Sequence, residues 1–295
     1  MRFLFITIVL FSLSSCFRLD SFMYNNDSTI TEYKLDDFDD EQDFILDDSY
    51  NIPDDKIQLF TLSVGAENHE IYCLYIGNQN TINTDTVIFY NHGNKDHMDF
   101  YWQRAKLLAH TGGKMRYGVM MIDYKGYGLS GGQSSEAGLV EDTKKALSWL
   151  YNQGLRSDRL IMYGFSLGTC PAITIAGDAS SVLVPARLIA EAPFASTDVM
   201  AADGALLDMP GAYYTSDRFE NAEYIKNVEQ PFLWIHGTAD DFLNIKTHGE
   251  VVYKNYTGLY GQAERVIGAG HSTVPQTIGF LDYNMLLESF ITKKI

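Results

Sequence analysis

The chain has 295 residues, 46% of them hydrophobic and 13% aromatic, enough to bury the core of one large α/β domain. Its formal net charge of -16 argues against a nucleic-acid partner, because gripping a phosphate backbone requires a basic footprint. No Cys/His spacing resembles a metal site, and spacing alone fixes no disulfide among the three cysteines.

The N-terminus reads as a targeting segment. Arg2 is followed by an apolar run, Phe3–Phe11, too short to cross a membrane as a helix. Leu13-Ser14-Ser15-Cys16 then resembles a bacterial lipobox, although an ordinary secretory signal also fits. The resemblance implies a signal peptide over 1–15 and a lipidated Cys16, holding the protein to a membrane of the bacterial cell envelope. Residues 16–56 read as an acidic tether. The run Asp36-Asp37-Phe38-Asp39-Asp40-Glu41-Gln42-Asp43 repels itself and favours an extended chain. Phe38, Phe44 and Tyr50 mark where part of it could pack back.

The folded domain is expected over 57–295. Residues 57–64 and 69–76 alternate about a turn and predict an antiparallel hairpin. Continuous apolar runs follow at 86–90, 117–122, 160–163, 186–190, 231–235 and 263–267. Strands buried on both faces have this composition, so a mostly parallel, doubly wound α/β sheet is predicted. Helices are expected at 136–153, capped by Gly154, at 169–176 with Pro171 in its first turns, and at 277–292. Residues 196–228 read as a short helical lid over the site, the alternative being a crossover with a long loop.

Chemistry concentrates at the ends of these strands. Gly164-Phe165-Ser166-Leu167-Gly168 is a G-x-S-x-G run between a strand and a helix. Such a sharp turn pushes the serine hydroxyl out of the fold and needs small residues on either side. A serine nucleophile also needs a base, an acid that orients the base, and donors for an oxyanion. Asp240 in His236-Gly237-Thr238-Ala239-Asp240-Asp241 is the candidate acid, with Asp241 its rival. Either could also cap a helix. His271, after the last strand, is the candidate base. His92 and His236 read as hydrogen-bonding neighbours, and His97, His110 and His248 as solvated. Leu167 N–H and Asn94 N–H, the latter in Asn91-His92-Gly93-Asn94-Lys95, are the expected oxyanion donors. The Gly-rich loop 123–132 lacks the ending of a phosphate cradle and reads as structural packing beside the nucleophile.

With these motifs in this order, residues 57–295 resemble the α/β-hydrolase superfamily, in its branch of small-lid serine hydrolases. The resemblance implies a Ser166, Asp240, His271 triad that hydrolyses carboxylic esters or thioesters through an acyl-enzyme. It implies no metal and no cofactor, and a small-molecule or lipid ester as substrate. Lys95 departs from the small residue usual there and is expected to point to solvent. A peptidase or amidase of the same fold, and a lipid-anchored non-catalytic binding protein, are the alternative readings.

Overall fold

The computed structural model describes residues 23–205 and 215–295. The expected signal peptide and Cys16 lie outside the described residues. An eight-stranded sheet carries the domain. Ile57–Val64 (β2) and His69–Ile76 (β3) form the hairpin, paired antiparallel along their full length. Val87–Asn91 (β4), Gly118–Ile122 (β6), Leu160–Phe165 (β7), Arg187–Glu191 (β8), Phe232–Gly237 (β9) and Gly261–Val266 (β10) are mutually parallel. The order across the sheet is β10-β9-β8-β7-β4-β6-β3-β2, with β3 antiparallel to β6. The two short strands Asn25–Asn26 (β1) and Lys95–Asp96 (β5) pair with each other outside it.

The apolar runs are continuous because both faces of the sheet are covered. In β7, Leu160 and Met162 enter one core while Ile161, Tyr163 and Phe165 enter the other. Met98–Ala109 (α1) and Phe280–Ile291 (α8) pack on one side. Glu136–Asn152 (α2) and Thr169–Ala176 (α3) pack on the other. The shorter helices are Thr197–Ala205 (α4), Asn221–Tyr224 (α5), Gly249–Asn255 (α6) and Val274–Ile278 (α7). The helix expected at 277–292 is thus two, because Gly279 at φ 95° interrupts it. No described helix is long and apolar enough to cross a membrane.

Two expectations are corrected. First, residues 23–56 are a strap docked on the domain, not an extended spacer. Its Phe38, Phe44, Leu46 and Ile52 are buried. Its charges meet cations of the domain: Asp36 lies 2.6 Å from Lys106, and Glu41 lies 2.7 Å from Lys95. The strap covers the outer face of α1, whose residues are all buried. There Asp99 accepts the N–H groups of Lys34 and Leu35, and Gln103 accepts that of Leu46.

The lid expected over 196–228 lies partly outside the described residues, and none of its described residues lines the cavity that holds Ser166. They pack instead on the ends of α2 and α3: Glu136 accepts the N–H groups of Arg218 and Phe219, and Asn221 bonds Thr169. Second, His97, His110 and His248 are buried: His97 is held by its neighbour Asp96 and by the Asp99 N–H of the helix it caps, His110 by the Lys106 carbonyl of its own helix, and His248 by the distant Ala195 N–H. Cys73 and Cys170 are buried free thiols.

Candidate active site

The turn between β7 and α3 carries Ser166 at φ 51°, a left-handed conformation that costs a serine energy and is held by its surroundings. The two flanking glycines make it possible. A Cβ on Gly164 would come within 2.6 Å of the Gly168 carbonyl, and one on Gly168 would run into the Asn91 carbonyl of β4. Ser166 therefore stands at the C-terminal edge of the sheet, where loops converge.

Two of those loops bring the candidate base and the candidate acid. His271 follows β10, and its Nε2 lies 2.9 Å from Ser166 Oγ. Its Nδ1 lies 2.8 Å from Asp240 Oδ2, in the turn after β9. A carboxylate only accepts, so the imidazole proton belongs on Nδ1, leaving the Nε2 lone pair toward the hydroxyl.

Asp240 is saturated with donors. Its Oδ1 accepts the N–H groups of Phe242 at 3.0 Å and Leu243 at 2.7 Å, so the acid also caps its own turn. Its Oδ2 faces His236 Nε2 at 3.1 Å as well as His271. Trp234 donates to His236 Nδ1, which places the His236 proton on Nε2. Burial by itself would raise the Asp240 carboxyl. The hydrogen bonds from His236 and His271, with the His271 charge and the Leu243 N–H, outweigh it and hold the carboxyl well below the usual range. Asp241 is exposed.

The expected oxyanion donors also flank the serine. Leu167 follows it in the first helical turn, whose N–H groups have no partner within the helix. Asn94 lines the same cavity as Ser166. Its side chain is clamped: Oδ1 accepts from Tyr127 O–H at 2.6 Å and from Asn25 N–H at 3.1 Å, and Nδ2 donates to the Met23 carbonyl at 2.9 Å. The Gly-rich loop supports this turn from beneath, as expected. Tyr124 donates to the His92 carbonyl, and Asp123 lies 3.1 Å from His92 Nε2. Lys95 pairs with Glu41 of the strap, where solvent was expected.

The cavity has a volume of about 460 Å³. Phe100, Tyr101, Phe165 and Phe242 form an aromatic wall, and the strap contributes Asn25, Glu41 and Asp43. Behind the wall runs a buried ionic cluster that sequence reading missed. Arg104 of α1 lies 2.8 Å from Glu191 at the end of β8 and donates to the Ser272 carbonyl, next to the base. Glu191 also accepts from Tyr163 and Tyr283. Among the described residues, Asp27, Asp96 and His97 bring metal-ligand atoms within 4.8 Å of one another. They lie outside the Ser166 cavity; His97 already pairs with Asp96, and the Asp27 carboxylate accepts from Thr29.

Fold and strand order define the class: the chain has the α/β-hydrolase fold. Residues 82–207 match the family described as serine aminopeptidase, S33. The chain is 27% identical over 250 residues to α/β hydrolase domain-containing protein 17B of Xenopus tropicalis, covering 82% of this chain and 77% of that protein. It is 30% identical over 212 residues to α/β hydrolase domain-containing protein aho-3 of Caenorhabditis elegans, covering 71% and 58%. Among solved structures, the Pyrococcus furiosus esterase Pf2001 superimposes with a TM-score of 0.67 at 15% identity, covering 91% of this chain and 97% of that one.

Proposed function

We propose that this protein is a serine hydrolase that cleaves carboxylic esters or thioesters through an acyl-enzyme. The observation that carries the reading is the unbroken hydrogen-bonded line from Ser166 Oγ through His271 to Asp240. His271 Nε2 takes the serine proton as Oγ attacks the carbonyl carbon. The negative charge that forms on the carbonyl oxygen is met by the N–H groups of Leu167 and Asn94. Asp240 stabilises the imidazolium, which then protonates the departing alcohol or thiol. Water, activated by the same imidazole, releases the acyl group as a carboxylic acid and restores Ser166.

The experiment is labelling by a fluorophosphonate on wild type and Ser166→Ala, with turnover of p-nitrophenyl esters of rising acyl length. Labelling confined to the wild type supports the reading. A well-folded wild type that neither labels nor turns over an ester overturns it and favours a binding protein. The match to a family described as serine aminopeptidases supports a second reading, cleavage of amides. Turnover of p-nitroanilides at rates comparable to the esters would favour it.

Placement on a membrane through a lipidated Cys16 is proposed on the lipobox-like residues alone. Incorporation of radiolabelled palmitate by the wild type, and its loss in Cys16→Ser, would support this. Equal labelling of both would end it.

A further inference from the structure

The cavity beside Ser166 holds an excess of one negative charge. Its lining carries Glu41, Asp43 and Lys95, with His271 as the base. Glu41 and Lys95 neutralise each other at 2.7 Å on the exposed rim. Among the described residues, Asp43 has no cation that it does not share. Its nearest cation is Arg104 at 3.7 Å, and Arg104 is already bonded to the fully buried Glu191 at 2.8 Å. One guanidinium thus faces two carboxylates. The Asp43 side chain is only 14% exposed, so water screens that charge poorly.

The rest of the lining is aromatic. Ring faces carry negative charge density and attract cations, most strongly where water is excluded. Two of these rings already hold protein cations: Lys95 Nζ lies 4.7 Å from the centre of Phe100, and the Arg104 guanidinium lies 4.3 Å from that of Phe165. Phe242 stands 62% exposed at the mouth with its ring 5.0 Å from that of His271. Among the described residues, no lysine or arginine lies over the Phe242 ring.

We infer that the site prefers esters or thioesters bearing an ammonium group close to the scissile carbonyl, with Asp43 and the face of Phe242 receiving that cation. The inference rests on the serine hydrolase reading and narrows it. Burial raises the Asp43 carboxyl despite the pull of Arg104 and a hydrogen bond from Ser272. A substrate cation would supply what is missing. The net charge of -16 adds long-range attraction of the same sign. The selectivity device comes from the strap, so the strap is part of the substrate site.

The test compares acetylthiocholine with its uncharged isostere, 3,3-dimethylbutyl thioacetate, on the full chain. The expected ratio of kcat/KM is about tenfold in favour of the cation. Asp43→Asn should bring that ratio close to one, and Asp43→Glu should restore part of it. Phe242→Leu, at an exposed position, should lower it without threatening the fold. On the wild type alone, phenyltrimethylammonium should slow fluorophosphonate labelling of Ser166, while neutral tert-butylbenzene at the same concentration should not. A wild-type ratio of one or less, a ratio unchanged in the Asp43 and Phe242 variants, or equal protection by both small molecules overturns the inference. Those outcomes leave the hydrolase reading intact. Absence of all labelling and turnover overturns both.

Discussion

His236 Nε2 lies 3.1 Å from Asp240 Oδ2, the same oxygen that faces His271 Nδ1. The candidate acid is therefore positioned by a second histidine that makes no bond to the serine. Replacing it by phenylalanine keeps the bulk and removes the donor. His236→Phe should lose about 10- to 100-fold in kcat, since a hydrogen bond to a charged group contributes about 1.5–3 kcal/mol. KM should move little, because His236 does not line the cavity. Steady-state kinetics with any turned-over ester checks this, and unchanged kcat would remove His236 from the machinery.

The nucleophile turn depends on Gly168 lying against the Asn91 carbonyl. Gly168→Ala puts a methyl where the backbone of β4 runs, and neither backbone can yield without moving Ser166 or the Asn94 turn. The variant should lose fluorophosphonate labelling, and its Tm should fall by several degrees, as expected for a cost of about 1–3 kcal/mol. Full labelling at the wild-type rate would show that the turn relaxes without cost.

What was legible in the sequence was local. The strand runs, the elbow around Ser166 and the order of Asp240 and His271 are each contained in a few consecutive residues, and the fold places them as that order implies. What was not legible depends on segments that meet only in the fold. Helix α1 shows no clean apolar stripe because its polar residues Asp99, Gln103 and Lys106 face the strap rather than water. The acidic strap looked self-repelling because the cations that hold it, Lys95 and Lys106, lie elsewhere in the chain. The pairing of Arg104 with Glu191 is hidden for the same reason.

That pair sets a stability prediction. Arg104 and Glu191 are both buried, and Glu191 is shared by two tyrosines. Arg104→Met strands the Glu191 carboxylate and should cost about 3–5 kcal/mol. Adding Glu191→Leu removes the stranded charge, so the double variant should recover part of that loss. Urea unfolding of the wild type, both single variants and the double variant gives the coupling. Additive losses would mean that the two groups act independently.

His248 sets the acid side of stability. Its ring is buried, Nδ1 accepts the Ala195 N–H at 3.1 Å, and Asp203 lies 3.4 Å from Nε2. Burial pushes the imidazole down, Asp203 pulls it back in part, and nearby His236 and His271 add to the depression that Asp240 opposes, leaving it at about 4. An unfolded histidine titrates near 6.5. Between those values the unfolded chain binds a proton that the native chain refuses, so stability falls as the pH drops from about 6.5 to 4, by on the order of 2–3 kcal/mol. Asp142 works in the opposite direction: burial, against Lys125, raises it to about 6, so its protonation favours the native state over part of the same range. Comparison with His248→Asn isolates the histidine, because the asparagine Oδ1, placed like Nδ1, can still accept the Ala195 N–H and does not titrate. Urea unfolding at pH 7 and pH 4.5 should show a smaller acid loss in the variant. Equal losses in the two proteins would mean that His248 is not held neutral in the native state.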